Sequence, residues 1–314
     1  MKIGKGIAGL LGESGEGKST MMPGAHCSIK LMKTQGVIMQ GDKDFGDKVS
    51  LHLDGVPETL LWPLWNRAAE QKRGDRLIDD PMSAALVERI DYDFQGSFGK
   101  PSAGHAIRAR VIDDALRLWQ QKYPAGTVIS LGEGLDTQFW RVDNGQVRWI
   151  TVDVAESIEA RRRLLPENKR MKTLVSSALD DLWLNDIPQG SRAFIVMAGL
   201  LMYFREHEVE DLLYRVADHF RDSQVMFDVI PVWLSRKSLN GLQVTKTYSM
   251  PAMPWGLHYK DYAWFEEIHP RLRIKRRMTY ADPFPERMRP YSWLSKFPRI
   301  VDRVASGIVQ LEVE

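Results

Sequence analysis

Two glycines and an aspartate carry the strongest chemical signal in the chain. Gly132 and Gly134 follow an apolar run in VISLGEGLDTQFWRV, and Asp153 ends the next one, WITVDV, about twenty residues past the first glycine. The pattern reads as a buried strand, a glycine turn that lets backbone approach a nucleotide closely, and a second strand whose carboxylate takes a ribose diol. As an alternative, Asp153 caps the helix that follows. Position 137 is Thr, where a dinucleotide fingerprint requires a third glycine for close helix packing. The pyrophosphate cradle is therefore incomplete. A nucleoside cofactor without a phosphate to bind, such as S-adenosylmethionine, fits this spacing better than NAD.

A second pattern competes with the first. Gly12–Ser19, GESGEGKS, satisfies the phosphate-loop spacing in full. Such a loop needs a helix after it, so that backbone N–H groups and the helix N-terminus meet the phosphates. Pro23 and Gly24 would stop that helix within about a turn, which favours a chance match in a glycine-rich segment over nucleotide hydrolysis.

These residues need elements to position them. Leu60, Leu61, Leu64, Trp65 and Ala68 recur at helical spacing behind Pro57, and Asp80-Pro81 opens a helix over Met82–Ile90. His105–Tyr123 is amphipathic, with Ile107, Val111, Ile112 and Leu116 on one face. Strand and helix patterns then alternate: strands at Thr127–Leu131, Val147–Val152, Met171–Val175, Ala193–Ala198 and Gln224–Ile230, helices at Ala155–Leu165 and Glu206–Phe220. Alternation with short connections predicts an α/β fold with a parallel, doubly wound sheet. A strand at Leu272–Arg277 and the closing GIVQLEVE suit an antiparallel C-terminal hairpin. Three stretches result: a poorly ordered or ancillary arm at 1–47, an N-terminal helical cap at 48–123, and a cofactor-binding domain at 124–314. Between about 231 and 268, Trp233, Met250, Met253, Trp255, Tyr259, Tyr262 and Trp264 predict an irregular aromatic lid.

Bulk properties narrow the function classes. The 314 residues are 44% hydrophobic and 27% charged, as in ordinary soluble proteins. A net charge of +2 gives no pull toward nucleic acid or an anionic membrane. Cys27 is the single cysteine, which excludes an internal disulfide framework and suits a reducing cytoplasm. No apolar run approaches the roughly 20 residues that span a bilayer. A cytoplasmic monomer or homodimer is expected.

Beyond these physical signals, LGEGLDTQFWRV, ITVDVAESIEARRRLLP, SSALDDLWLNDI, AGLLMYFREHEVEDLL and FDVIPVWLSRKS occur in order. Together they resemble the leucine carboxyl methyltransferase family, and GVPETLLWPLWNRAAE and MPWGL resemble its bacterial branch, the tetracenomycin-type polyketide O-methyltransferases. The resemblance covers about residues 49–314. It implies a class I methyltransferase fold (Rossmann-like) using S-adenosylmethionine and no metal. It also implies roles. Arg108 falls where the family holds the cofactor's methionine carboxylate, with Arg110 as the alternative; a guanidinium matches a carboxylate bidentately. Gly132 and Gly134 form the close-approach turn, and Asp153 takes the ribose. Leu179 and Asp180 match the pair at the adenine. Ala198 stands where the family often has Glu, and Glu133 where eukaryotic members have Ala. The Glu133 carboxylate either bonds the cofactor's ammonium or points to solvent.

Methyl transfer is an in-line displacement in which orientation can supply up to roughly 7–11 kcal/mol. A carboxylate acceptor is already ionised near neutral pH and needs only donors to orient it. Tyr203, at the carboxyl side of the fourth strand, and Arg141 are the candidate orienting groups. A phenol would benefit from a base. His105 and His258 are the two of seven histidines placed to serve, and neither sits in a catalytic motif. Trp65, Trp233, Trp255 and His258 are the candidate acceptor contacts. The expected reaction is O-methylation of a small-molecule carboxylate. A protein C-terminal carboxylate, a phenol, or a non-catalytic sensor that binds S-adenosylmethionine are the alternatives.

Overall fold

The computed structural model describes residues 48–51, 53–289, 293 and 296–314. The arm at 1–47, with its Gly12–Ser19 pattern and Cys27, lies outside the described residues. The chain enters through a 3-10 turn at Pro57–Leu60 into α1 (Leu61–Glu70), followed by α2 (Pro81–Arg89), α3 (Phe94–Phe98) and the long α4 (Gly104–Lys122). Asp80 accepts the Ser83 amide and Pro81 supplies a preset φ, which together start α2. α3, absent from the sequence reading, is capped by Asp93 through the Gly96 amide.

The alternating part runs β1 (Thr127–Leu131), α5 (Gln138–Val142), β2 (Arg148–Asp153), α6 (Ala155–Leu164), β3 (Met171–Val175), α7 (Leu182–Asn185), β4 (Ala193–Met197), α8 (Glu206–His219) and β5 (Ser223–Val229). The stretch expected as an irregular lid is partly regular. It holds α9 (Val232–Leu239), a two-stranded ribbon of β6 (Leu242–Gln243) and β7 (Ser249–Met250), and α10 (Trp264–Ile268). Then come β8 (Leu272–Thr279), α11 (Pro298–Val304) and β9 (Gly307–Val313).

Seven strands form one sheet in the order β3-β2-β1-β4-β5-β9-β8. β1 to β5 are parallel, with Ile129 opposite both Ile150 and Ile195. β9 runs antiparallel between β5 and β8 and carries a bulge in its pairing with β8 at Ile274/Arg276. Each central strand is apolar on both faces, as parallel strands covered by helices must be. Val128, Phe194, Val196 and Met226 pack under α4 and α5, whereas Ile129, Ile195, Met197 and Phe227 face α7, α8 and α10. Burying each such side chain contributes about 1.5–3 kcal/mol. α4, within the segment read as a cap, thus lies directly on the sheet.

This order reverses between β1 and β4. Ligands in such sheets bind outside the carboxyl ends of the strands at that switch point. None of the helices among the described residues is long and apolar enough to cross a membrane.

Candidate active site

A cavity of about 950 Å³ opens at the switch point, lined by the segments that follow β1, β2, β3, β4 and β5. That is near the upper end of the about 300–1,000 Å³ usual for ligand sites, enough for two small molecules. After β1 the chain turns at Gly132 (φ +65°) and Gly134 (φ +51°), conformations that side chains rarely adopt. A Cβ on Gly132 would lie 2.7 Å from Leu200 Cδ1, and one on Gly134 would lie 2.8 Å from Leu60 Cβ. The Gly132 amide donates to the Val152 carbonyl at 2.9 Å, tying the turn to the end of β2.

Asp153 closes that end. Its carboxylate accepts the Gly134 amide at 2.7 Å and the Val154 amide at 2.8 Å, and it lines the cavity. Burial pushes its pKa up, opposed by those two amide bonds.

Arg108, on α4, reaches the cavity beside the ends of β4 and β5. Its Nη1 donates to Asp228 Oδ2 at 2.9 Å. Asp228 also accepts the Tyr280 hydroxyl at 2.9 Å and the Gly199 amide at 2.6 Å. Burial alone would discourage charge on Arg108, but Asp228 outweighs it and holds the guanidinium well above its ordinary value. Sequence reasoning missed Asp228, although its signal was present: an acid inside the apolar strand QVMFDVI.

A buried polar web backs the glycine turn. Arg67 donates to the Leu135 carbonyl at 3.0 Å and to Asp80 at 3.1 Å. Arg161 donates to the carbonyls of Gly134 at 2.6 Å and Asp136 at 3.1 Å. Two arginines thus hold the loop backbone from behind. Arg67 also lines the cavity. Its signal was a charge on the apolar stripe of α1, three residues after Leu64. Glu133 is among the lining residues, but its carboxylate turns into the web. It accepts the hydroxyl of Thr151 and the Trp149 indole N–H at 3.1 Å, and lies 3.2 Å from Arg161. Neither expected orientation of Glu133, toward an ammonium or toward solvent, is the one observed.

Several predicted residues meet here and others do not. Arg108, Gly132, Glu133, Gly134, Asp153, Ala198 and Tyr203 all line the cavity. Arg110 faces away and pairs with Asp114 at 2.6 Å. After β3 the wall is Ser176, Ser177 and Ala178; Leu179 and Asp180 lie beyond it, with Asp180 accepting the Ser177 amide at 3.1 Å. Arg141 is not at the cavity. It is buried against Asp113 at 2.7 Å, Asp136 at 2.8 Å and Asp80 at 3.1 Å, so its charge serves the web.

The aromatic contacts also need correction. Trp65 donates to the Gly99 carbonyl at 3.1 Å and stacks on Phe94. Trp233 is 46% exposed on α9, and Trp255 is buried in the core against Trp264 and Phe265. His258 meets the Asp302 carbonyl at 3.2 Å. None of the four lines the cavity. The apolar wall comes instead from Trp62, Met202, Tyr203, Tyr248, Met250 and Met253. His105 lies in the same wall, its Nδ1 2.6 Å from Asn66 Nδ2. Among the described residues no group of three or more His, Cys, Asp or Glu is arranged to hold a metal ion.

The strand order with its reversed last strand, and the acid-backed glycine turn at the switch point, define a class I methyltransferase dependent on S-adenosylmethionine. Comparison with known proteins gives the family. A model of the leucine carboxyl methyltransferase family matches residues 61–217. The tetracenomycin polyketide synthesis O-methyltransferase TcmP of Streptomyces glaucescens is 35% identical over 245 residues, 77% of this chain and 89% of that protein. The S-adenosyl-L-methionine-dependent methyltransferase dpfgK of Gibberella zeae is 29% identical over 294 residues, 83% of this chain and 96% of its own. Among solved structures, an O-methyltransferase family protein from Burkholderia thailandensis superposes with a TM-score of 0.39 at 15% identity, over 82% of this chain and 70% of that one. The chain belongs to the leucine carboxyl methyltransferase family.

Proposed function

We propose that the protein esterifies a carboxylate of a small, flat, largely apolar metabolite, with α1 and the 231–268 segment walling the acceptor. The residues present fit S-adenosylmethionine. Arg108 spends one donor on Asp228 and keeps others for the methionine carboxylate. Asp153 keeps accepting capacity beyond its two amide bonds for the ribose diol. The backbone after β3, at Ser176–Ala178, would border the adenine. When bound, the cofactor supplies an electrophilic methyl on its sulfonium.

One observation carries the choice of acceptor: the buried acids of the wall are all committed. Asp153 holds two amides and is left to the ribose, Asp228 is spent on Arg108, Asp136 on Arg141, and Glu133 on the web. Among the buried acids that line the cavity a phenol would find none free, the other lining acids, Asp54 and Glu156, being exposed, whereas a carboxylate acceptor needs none. Burial pushes the Tyr203 phenol up, so it stays protonated and donates. The apolar wall and the named polyketide relative support a flat metabolite.

The test is product analysis with methyl-labelled S-adenosylmethionine and aromatic acids that carry both a carboxyl and a phenol. The expected product loses its label on mild alkaline hydrolysis, as an ester does. A label that survives hydrolysis as an ether, or appears only on peptide C-termini, contradicts the proposal.

A further inference from the structure

The Asn66–His105 pair sits on the acceptor wall and has no part in holding the cofactor. Its hydrogen bonds determine where the imidazole proton lies. The Ser102 amide can only donate, and it lies 3.0 Å from Asn66 Oδ1. That contact fixes the orientation of the Asn66 amide. Its NH2 therefore faces His105 Nδ1 at 2.6 Å, with Ser102 Oγ as a second acceptor at 3.3 Å. An amide NH2 donates and cannot accept, so Nδ1 must present a lone pair. The proton of the neutral ring then sits on Nε2. Asn66 is buried and is not a lining residue, whereas His105 is, so Nε2 is the edge left for the cavity.

We propose that His105 donates Nε2–H to the acceptor's carboxylate, and that Asn66 locks it in this tautomer, so that the pair selects carboxylates over phenols. The inference rests on the carboxyl reading above and adds the residues that enforce it. The surroundings agree. Burial, then Arg108 and Arg67, hold the imidazole well below its ordinary pKa, with Asp136 opposing. Trp62 packs edge-on to the ring at 5.9 Å. An Nε2–H orients a carboxylate oxygen for attack on the methyl. The C–O bond forms as the S–C bond breaks, the electron pair passes to sulfur, and no proton moves. A phenol would have to lose a proton, and Nε2 has no lone pair to receive it. Histidine at an active site usually signals a base, whereas the Asn66 contact reverses that role.

The test joins spectroscopy to kinetics. Histidine-selective 15N NMR, with His105 assigned by its loss in His105→Gln, is expected to show a protonated Nε2 and an unprotonated Nδ1 from about pH 6 to 8. Asn66→Asp places an acceptor at Nδ1, and the tautomer is expected to reverse while the ratio of ester to ether product falls. His105→Leu removes the donor and is expected to lower kcat/KM by about 10- to 100-fold, chiefly through KM. His105→Gln, which restores a donor, should recover to within about tenfold of wild type. A wild-type Nε2 without its proton, in an enzyme that forms esters, overturns the proposal and leaves the carboxyl reading standing. Ether products from the wild-type enzyme overturn both. Equal inactivity of the Gln and Leu variants, with both folded, marks a base and overturns the proposal.

Discussion

Replacing Asp228 with Asn tests the central ion pair without changing its shape. The Arg108 and Asp228 side chains are 7% and 4% exposed, and their closest atoms are 2.9 Å apart. Asp228 answers three donors: Arg108, the Tyr280 hydroxyl and the Gly199 amide. An Asn has one acceptor oxygen. If that oxygen keeps Gly199, the new NH2 opposes Arg108; if it turns to Arg108, the NH2 opposes Gly199. Either way a donor faces a donor, and a buried guanidinium loses its counter-charge. Breaking one side of such a pair costs about 3–5 kcal/mol, against a typical total stability of about 5–15 kcal/mol. At roughly 2 °C per kcal/mol for a chain of this size, the midpoint should fall by about 6–10 °C. The assay is thermal unfolding of Asp228→Asn, Arg108→Met and the double variant. The expected double loss is smaller than the sum of the singles by about 1.5–3 kcal/mol. A loss under about 1 kcal/mol for Asp228→Asn, additive with Arg108→Met, would mean that the two side chains are not coupled.

The remaining predictions probe the turn and the web behind it. Gly134→Ala forces a side chain into φ +51° and within 2.8 Å of Leu60, and should cost at least about 1–2 kcal/mol and weaken S-adenosylmethionine binding in a calorimetric titration. Arg141→Met leaves Asp113 buried without its cation and Asp80 with Arg67 alone, and should destabilise by about 3–5 kcal/mol, while the KM for acceptor in the folded fraction is unchanged. Burial disfavours the Asp136 charge, but Arg141 and Arg67 outweigh it and hold the carboxyl well below the usual range. A depressed folded value means its contribution is present above the unfolded value near 3.9 and is lost as pH falls below it. Urea midpoints at about pH 5 and pH 3 should therefore differ more in wild type than in Asp136→Asn.

The parallel strands were the most legible part of the chain. Thr127–Leu131 and Met171–Val175 were read with the bounds observed. For the central strands, burial on both faces writes continuous apolar runs into the sequence. The five-residue helices α3 and α5 were not legible, because neither spans two turns and no period can show. At the site, Gly132, Gly134 and Asp153 reach the cavity because backbone position fixes them, directly after or at the ends of β1 and β2. Side-chain direction was the failure. Trp65 and Trp62 lie on the same helix, three residues apart, yet only Trp62 reaches the cavity. Arg141 looked available for catalysis because Asp80, Asp113 and Asp136, which consume its charge, come from three separate segments. Such partners are set by tertiary packing, and spacing along the chain does not reveal them.

A crystal structure with S-adenosylhomocysteine and an aromatic acid would show directly which residues grip each ligand. The homocysteine carboxylate is expected on Arg108, the ribose diol on Asp153, and the acid's carboxylate directed at the sulfur from the Trp62, Tyr203 and His105 wall. A homocysteine carboxylate bound away from Arg108, with Asp153 free of ribose, would contradict this arrangement.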